Sequence, residues 1–234
     1  MPIEAQGSHL VVGAPHPEHT PGLAHHFDSM AQQRDAMTLG MWAFLASEVM
    51  FFGGMLAVYA VYRWQEPEIF RAASQHLNPI HGGINTAVLL GSSLTMVLAV
   101  HAAVERKRKA MVGFLALTML LGSIFLGVKF LEYYHKYEDG LVPAGALPFR
   151  YEAEDPQDVP KAKLFFGLYF VMTGFHALHM IIGLGVMGVL AIAGWRGRYH
   201  YDYMPIEIAG LYWHFVDLVW IFLFPFLYLI DRAG

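Results

Sequence analysis

Long apolar runs alternate along this chain with short polar breaks. Five runs stand out, at about 37–63, 84–104, 111–134, 164–194 and 205–230. Each holds roughly 20 or more mostly apolar residues, enough at ~1.5 Å per residue for a helix to cross ~30 Å of hydrocarbon. In lipid only helices and closed barrels satisfy their own backbone, and these runs are too long and continuous for barrel strands. The pattern predicts an all-α membrane protein, a bundle of five transmembrane helices. Residues 1–36 read as a solvated N-terminal tail and residues 37–234 as the membrane domain. No internal repeat is visible. The breaks are short except at 135–163, "HKYEDGLVPAGALPFRYEAEDPQDVPKAK", where proline and acidic residues predict an extramembrane loop and a candidate docking surface.

Composition narrows the class. Of 234 residues 56% are hydrophobic and only 15% charged, too apolar for an ordinary soluble domain. The formal charge of −4 gives no sign of a nucleic-acid partner. With no cysteine, disulfides, iron–sulfur clusters and thiolate metal sites are excluded. The opening "MPIEAQGSHLVVGAPHPEHTPG" lacks a basic n-region and a long apolar core, so no cleaved signal peptide is expected. His9, His16, His19, His25 and His26 decorate this stretch and read as part of a solvated tail.

Charge predicts orientation. The break "ERKRK" carries Arg106, Lys107, Arg108 and Lys109, and the break on the same side carries Arg196 and Arg198. Basic loops face the cytoplasm, which places the N-terminus in the cytoplasm and, after five crossings, the C-terminus in the periplasm. The expected location is a bacterial cytoplasmic membrane. Arg196 and Arg198 are also candidates for holding a lipid phosphate.

Ionisable residues inside the spans are costly and usually face the bundle interior. The sequence has Glu48 in "FLASEVMFFGG", His176 and His179 in "GFHALHMIIG", and His214 and Asp217 in "LYWHFVDLVW". At ~1.5 Å per residue, Glu48, His179, His214 and Asp217 fall about 10–15 Å from the cytoplasmic side. Hydrogen bonding among them is the cheapest way to keep them there, so the five are read as one buried polar network. The residues alone leave three roles open: a structural lock between helices, a proton path or lipid-linked site, and ligation of a metal or haem. Gly183, Gly185 and Gly188 would let a neighbouring helix approach, as would Gly91, Ser92 and Ser93. Trp213 and Trp220 share a face of the last span. Lys129 and Glu132 read as an i, i+3 pair with a snorkelling lysine.

Several of these stretches are familiar. "LYWHFVDLVWIFLF" resembles the last helix of subunit III of the haem–copper terminal oxidases. In the same order, "FLASEVMFFGG" resembles that family's helix with a buried glutamate, "NTAVLLGSSLTM" its asparagine–threonine helix, "KFLEYYHKY" its glutamate–tyrosine–tyrosine helix end, and "GLYFVMTGFHALHMIIG" its paired-histidine helix. The resemblance runs over about residues 35–231. Mitochondrial-type members have seven helices; this chain is similar to the bacterial five-helix form, its first span matching their third. The cleft that holds lipid in the longer form is then absent or rebuilt by another subunit.

The resemblance implies a non-redox subunit of a proton-pumping cytochrome c oxidase in an aerobic respiratory chain. Such a chain has no catalytic centre and no cofactor of its own; haems and copper belong to partner subunits, and phospholipid can bind. It packs against subunit I, with subunit II in the same complex, and supports proton uptake, lipid binding and oxygen access. A quinol oxidase or an accessory chain of nitric oxide reductase is the alternative within this class. Outside it stands a haem-bearing membrane cytochrome, with His214 facing His176 or His179.

Overall fold

A computed structural model describes residue 23 and residues 26–143, 149–153, 155–197 and 203–229. Five long helices carry the fold: α1 (Met30–Gln65), α3 (Pro79–Val104), α4 (Arg108–Glu138), α5 (Val159–Trp195) and α6 (Met204–Tyr228). A short α2 (Pro67–Ser74) follows α1, and a single 3-10 turn (Pro156–Asp158) leads into α5. All five long helices are long and apolar enough to cross a membrane.

α1, α4 and α5 overrun their apolar runs at both ends. α1 has 36 residues and α5 has 37, or roughly 55 Å each at ~1.5 Å per residue. Hydropathy detects only the part that matches the hydrocarbon, whereas helical backbone continues until a cap stops it. α1 therefore starts inside the stretch 1–36 expected to be tail. Ser29 caps it, its hydroxyl accepting from the Gln32 amide at 3.2 Å. Asn78 caps α3 in the same way, accepting from the Ile80 amide at 3.0 Å, with Pro79 in the first turn. At the other end of α3, Lys107 N–H bonds Ala102 O at 2.8 Å and Arg106 N–H bonds Ala103 O at 3.0 Å. This paired closure forces Arg106 to φ +57°, a conformation usually given to glycine. α4 closes likewise on Gly140, at φ +72°.

α3, α4, α5 and α6 form a ring in which the backbone of each packs closely against two neighbours, and α1 lies outside it against α5 and α6. Half of the most apolar window of α6 is buried, against 17% for α1. α6 is thus the central post and α1 the peripheral one. α1 meets the ring through a narrow seam of Met41, Leu45, Phe52 and Tyr59.

The expected solvated loop at 135–163 is partly structured. α4 extends to Glu138, and α2 packs on α5. Phe70, Leu77 and Leu141 are buried, and Lys136 Nζ donates to His76 O at 2.6 Å. Phe149 and Tyr151 lie against Phe166. Phe149 and Tyr151 thus cover the end of the bundle, which a reading of the acids and prolines of this stretch missed.

Candidate functional site: buried polar pairs between helices

Among the polar contacts that join the helices, three sets stand out. The first ties α1 to the ring. Glu48 Oε2 lies 3.1 Å from His179 Nε2, and His179 Nδ1 lies 2.8 Å from Phe175 O. A carbonyl oxygen only accepts, so Nδ1 carries hydrogen. Nε2 then either accepts from a carboxylic acid or donates to a carboxylate. In both cases the pair holds one shared proton and no net charge. Tyr212 on α6 donates to His179 O at 2.9 Å, so α1, α5 and α6 meet here.

The second set is built around Trp213. Its indole Nε1 donates to Ser92 Oγ on α3 at 3.0 Å. One side of the ring lies so close to Gly122 of α4 that a Cβ there would sit 2.9 Å from it; the other side is equally close to Gly183 of α5. One α6 side chain thereby touches all three other ring helices. Beside it, Thr95 and Thr118 share a hydrogen bond of 2.7 Å between α3 and α4, and Ser93 Oγ lies 2.7 Å from His214 Nδ1.

The third set surrounds Lys129, which is 3% exposed. Its ammonium donates to Glu132 Oε2 at 3.0 Å, Tyr169 OH at 3.1 Å and Tyr228 OH at 2.8 Å. Both tyrosines donate to Glu132 Oε1, at 2.9 and 2.6 Å. All three ammonium hydrogens are used, and the carboxylate accepts three bonds. The Trp220 ring lies 5.0 Å from Nζ. Lys129 was expected to snorkel. It turns inward instead, because Glu132 and two tyrosines from α5 and α6 replace the water it would otherwise seek.

The five residues read as one network are divided. Glu48 and His179 are bonded. His214 bonds Ser93, and no hydrogen bond connects it or Asp217 to Glu48, His176 or His179 among the described residues. Asp217 is buried with neither carboxyl oxygen bonded, and both His176 nitrogens are likewise unbonded. His176 packs between Phe125 and Trp220, with ring centroids 5.5 and 5.2 Å away. Shared depth put these residues at one level, but the direction in which each points around its helix kept them apart. Among the described residues, His214 therefore faces neither as a haem-ligand pair: His179 has both nitrogens engaged and His176 is enclosed by aromatic rings. No group of three or more His, Asp or Glu suited to a metal ion occurs among the described residues.

Gly183 serves close approach as expected; Gly185 and Gly188 have open space where a Cβ would go. Arg196 is exposed at the end of α5, and Arg198 lies outside the described residues, as do His9, His16, His19 and His25. At the same end of the bundle, Arg106 and Arg108 line a pocket of about 200 Å³ floored by Ala102, Ala103 and Met111. Glu105, exposed in the adjoining turn, pairs with Lys107 at 2.8 Å, and that ammonium holds its carboxyl below the usual range.

Fold and contacts together define a multi-pass helical membrane protein whose interior polar groups mostly bind helix to helix. The comparisons are more specific. A family model for cytochrome c oxidase subunit III matches residues 23–138 and 160–231. Cytochrome c oxidase subunit 3 of Synechocystis sp. is 31% identical over 217 residues, covering 91% of this chain and 82% of that protein. The protein of the same name from Thermostichus vulcanus is 31% identical, with 90% and 96% covered. That of Cyprinus carpio is 34% identical over 198 residues, with 81% and 67% covered. The chain belongs to the cytochrome c oxidase subunit III family. It is thus a subunit of an oxidoreductase complex in a membrane.

Proposed function

We propose that this chain is the non-redox brace of a proton-pumping haem–copper oxidase in a bacterial cytoplasmic membrane. It packs against subunit I, which with other partner subunits carries haem and copper, and it supports proton uptake, lipid binding and oxygen access there. The names of its relatives favour cytochrome c over quinol as the electron donor. The basic turns at 105–109 and 196–198 face the cytoplasm, together with the N-terminus. Lipid phosphate is held at this end, by Arg196 and Arg198 and by the pocket of Arg106 and Arg108.

The observation that carries the bracing role is the Glu48–His179 bond. It joins the middle of the peripheral α1 to the ring, beside the apolar Met41, Leu45 and Phe52 of the seam. In lipid such a seam has no hydrophobic driving force, so a hydrogen bond contributes a larger share of the association. Glu48→Ala is expected to loosen this chain from the complex or slow turnover, with the haem spectrum unchanged. Native assembly and activity in that variant would overturn the role.

A further inference from the structure

The pocket of about 200 Å³ at the basic end of the bundle is lined from opposite sides of the ring, by Ala102 and Ala103 of α3 and by Gly194 of α5, with Met111 of α4 between them. All four are buried, so the pocket enters the mouth of the ring and does not lie on its lipid-facing flank. It is smaller than the roughly 300–1,000 Å³ of sites for drug-sized ligands and suits a compact group. Arg106, Arg108 and Gly197 complete the lining. Arg108 reaches from the start of α4 toward the end of α5: a Cβ on Gly197 would lie 3.4 Å from its Nη1.

Neither arginine has an acidic partner among the described residues. The one carboxylate of this turn, Glu105, is occupied: it lies 2.8 Å from Lys107 and 3.5 Å from His101. Two guanidiniums thus stand at an apolar pocket with no anion from the described chain. Arg106 is the informative one. It closes α3 at φ +57°, where glycine carries no penalty and an arginine does. The ends of α4 and α5 use Gly140 and Gly197, at φ +72° and +81°. Folding alone would favour glycine at 106 as well. The strained backbone is accepted there with a side chain that lines the pocket.

We propose that this pocket is an oxyanion site that takes a phosphate group on Arg106 and Arg108, the phosphate of a lipid headgroup or of a soluble compound reaching this end from the water. A guanidinium presents paired N–H donors that match two phosphate oxygens. The apolar floor strengthens such bonds by lowering the local dielectric. The assignment rests on the reading that phosphate is held at this end of the bundle. It adds that the mouth of the ring is a saturable site in its own right, apart from Arg196, and names the two side chains that make it.

Two assays on the assembled complex test it. One titrates inorganic phosphate into the complex in phosphatidylcholine nanodiscs. The other counts the phosphatidylglycerol retained per chain after delipidation from discs that contain it. The variants are Arg106→Gly and Arg108→Gln. Arg106→Gly relaxes the turn, so its thermal midpoint without added phosphate is expected to equal or exceed that of the unaltered complex. Both variants are expected to bind inorganic phosphate about tenfold more weakly if the source is soluble, or to lose the retained phosphatidylglycerol if it is a headgroup. Binding in both variants equal to that of the unaltered complex would overturn the proposal, as would an unaltered complex that binds neither. Binding lost in Arg196→Gln but kept in both pocket variants would refute the pocket and leave the broader reading of this end standing.

Discussion

Lys129 shows what a single residue can demand of a membrane fold. An ammonium buried in the bundle is tolerable only with its hydrogens placed, and Glu132, Tyr169 and Tyr228 place all three. Removing one member of such a pair leaves an uncompensated charge, at a cost of about 3–5 kcal/mol, whereas replacing both with apolar groups is often close to neutral. Lys129→Met and Glu132→Leu should therefore each destabilise the chain by about that much, while the double variant should recover most of the loss. Unfolding of the three variants in mixed micelles measures this. Losses that simply add would mean the pair is not coupled.

Helix contacts turn on Trp213. Its indole is pinned by Ser92, so it cannot retreat from a methyl group placed on Gly122 or Gly183. Gly183→Ala gains about 1 kcal/mol of helix propensity but overpacks a rigid ring at a cost of about 1–3 kcal/mol. The steric cost should prevail. Gly185→Ala, two residues on and facing open space, should be neutral or slightly stabilising. Thermal inactivation of the two variants separates them, and equal midpoints would mean the Trp213 contact does not limit packing. Much of this element scale was legible in the chain. The five apolar runs marked the helices, and depth arithmetic put Glu48 and His179 at one level. Depth carries no information about direction around a helix, so Asp217, His176 and His214 were grouped with a pair they do not join. Gly122 and Gly210 gave no signal, because a lone glycine in an apolar run looks the same whether or not an indole or a valine lies against it. Lys129 was misread for a related reason: its tyrosine partners stand 40 and 99 positions away.

At the scale of the whole molecule, a ring of four helices is fastened through α6, and α1 is attached to its side by an apolar seam, by the Glu48–His179 pair and, at its end, by the ion pair of Glu66 with Lys161. His214 is bonded to Ser93, His179 to Glu48, and His176 is enclosed by aromatic rings. On the proposed function, such a chain shapes and holds a complex while its partners carry the electrons. The direct test is a reduced-minus-oxidised visible spectrum of the chain purified in mild detergent with its companions, recorded again after they are stripped away. Haem bands present in the first sample and gone from the second are the expected result. Bands that remain with the stripped chain would mean that its own histidines ligate haem, and would contradict the account.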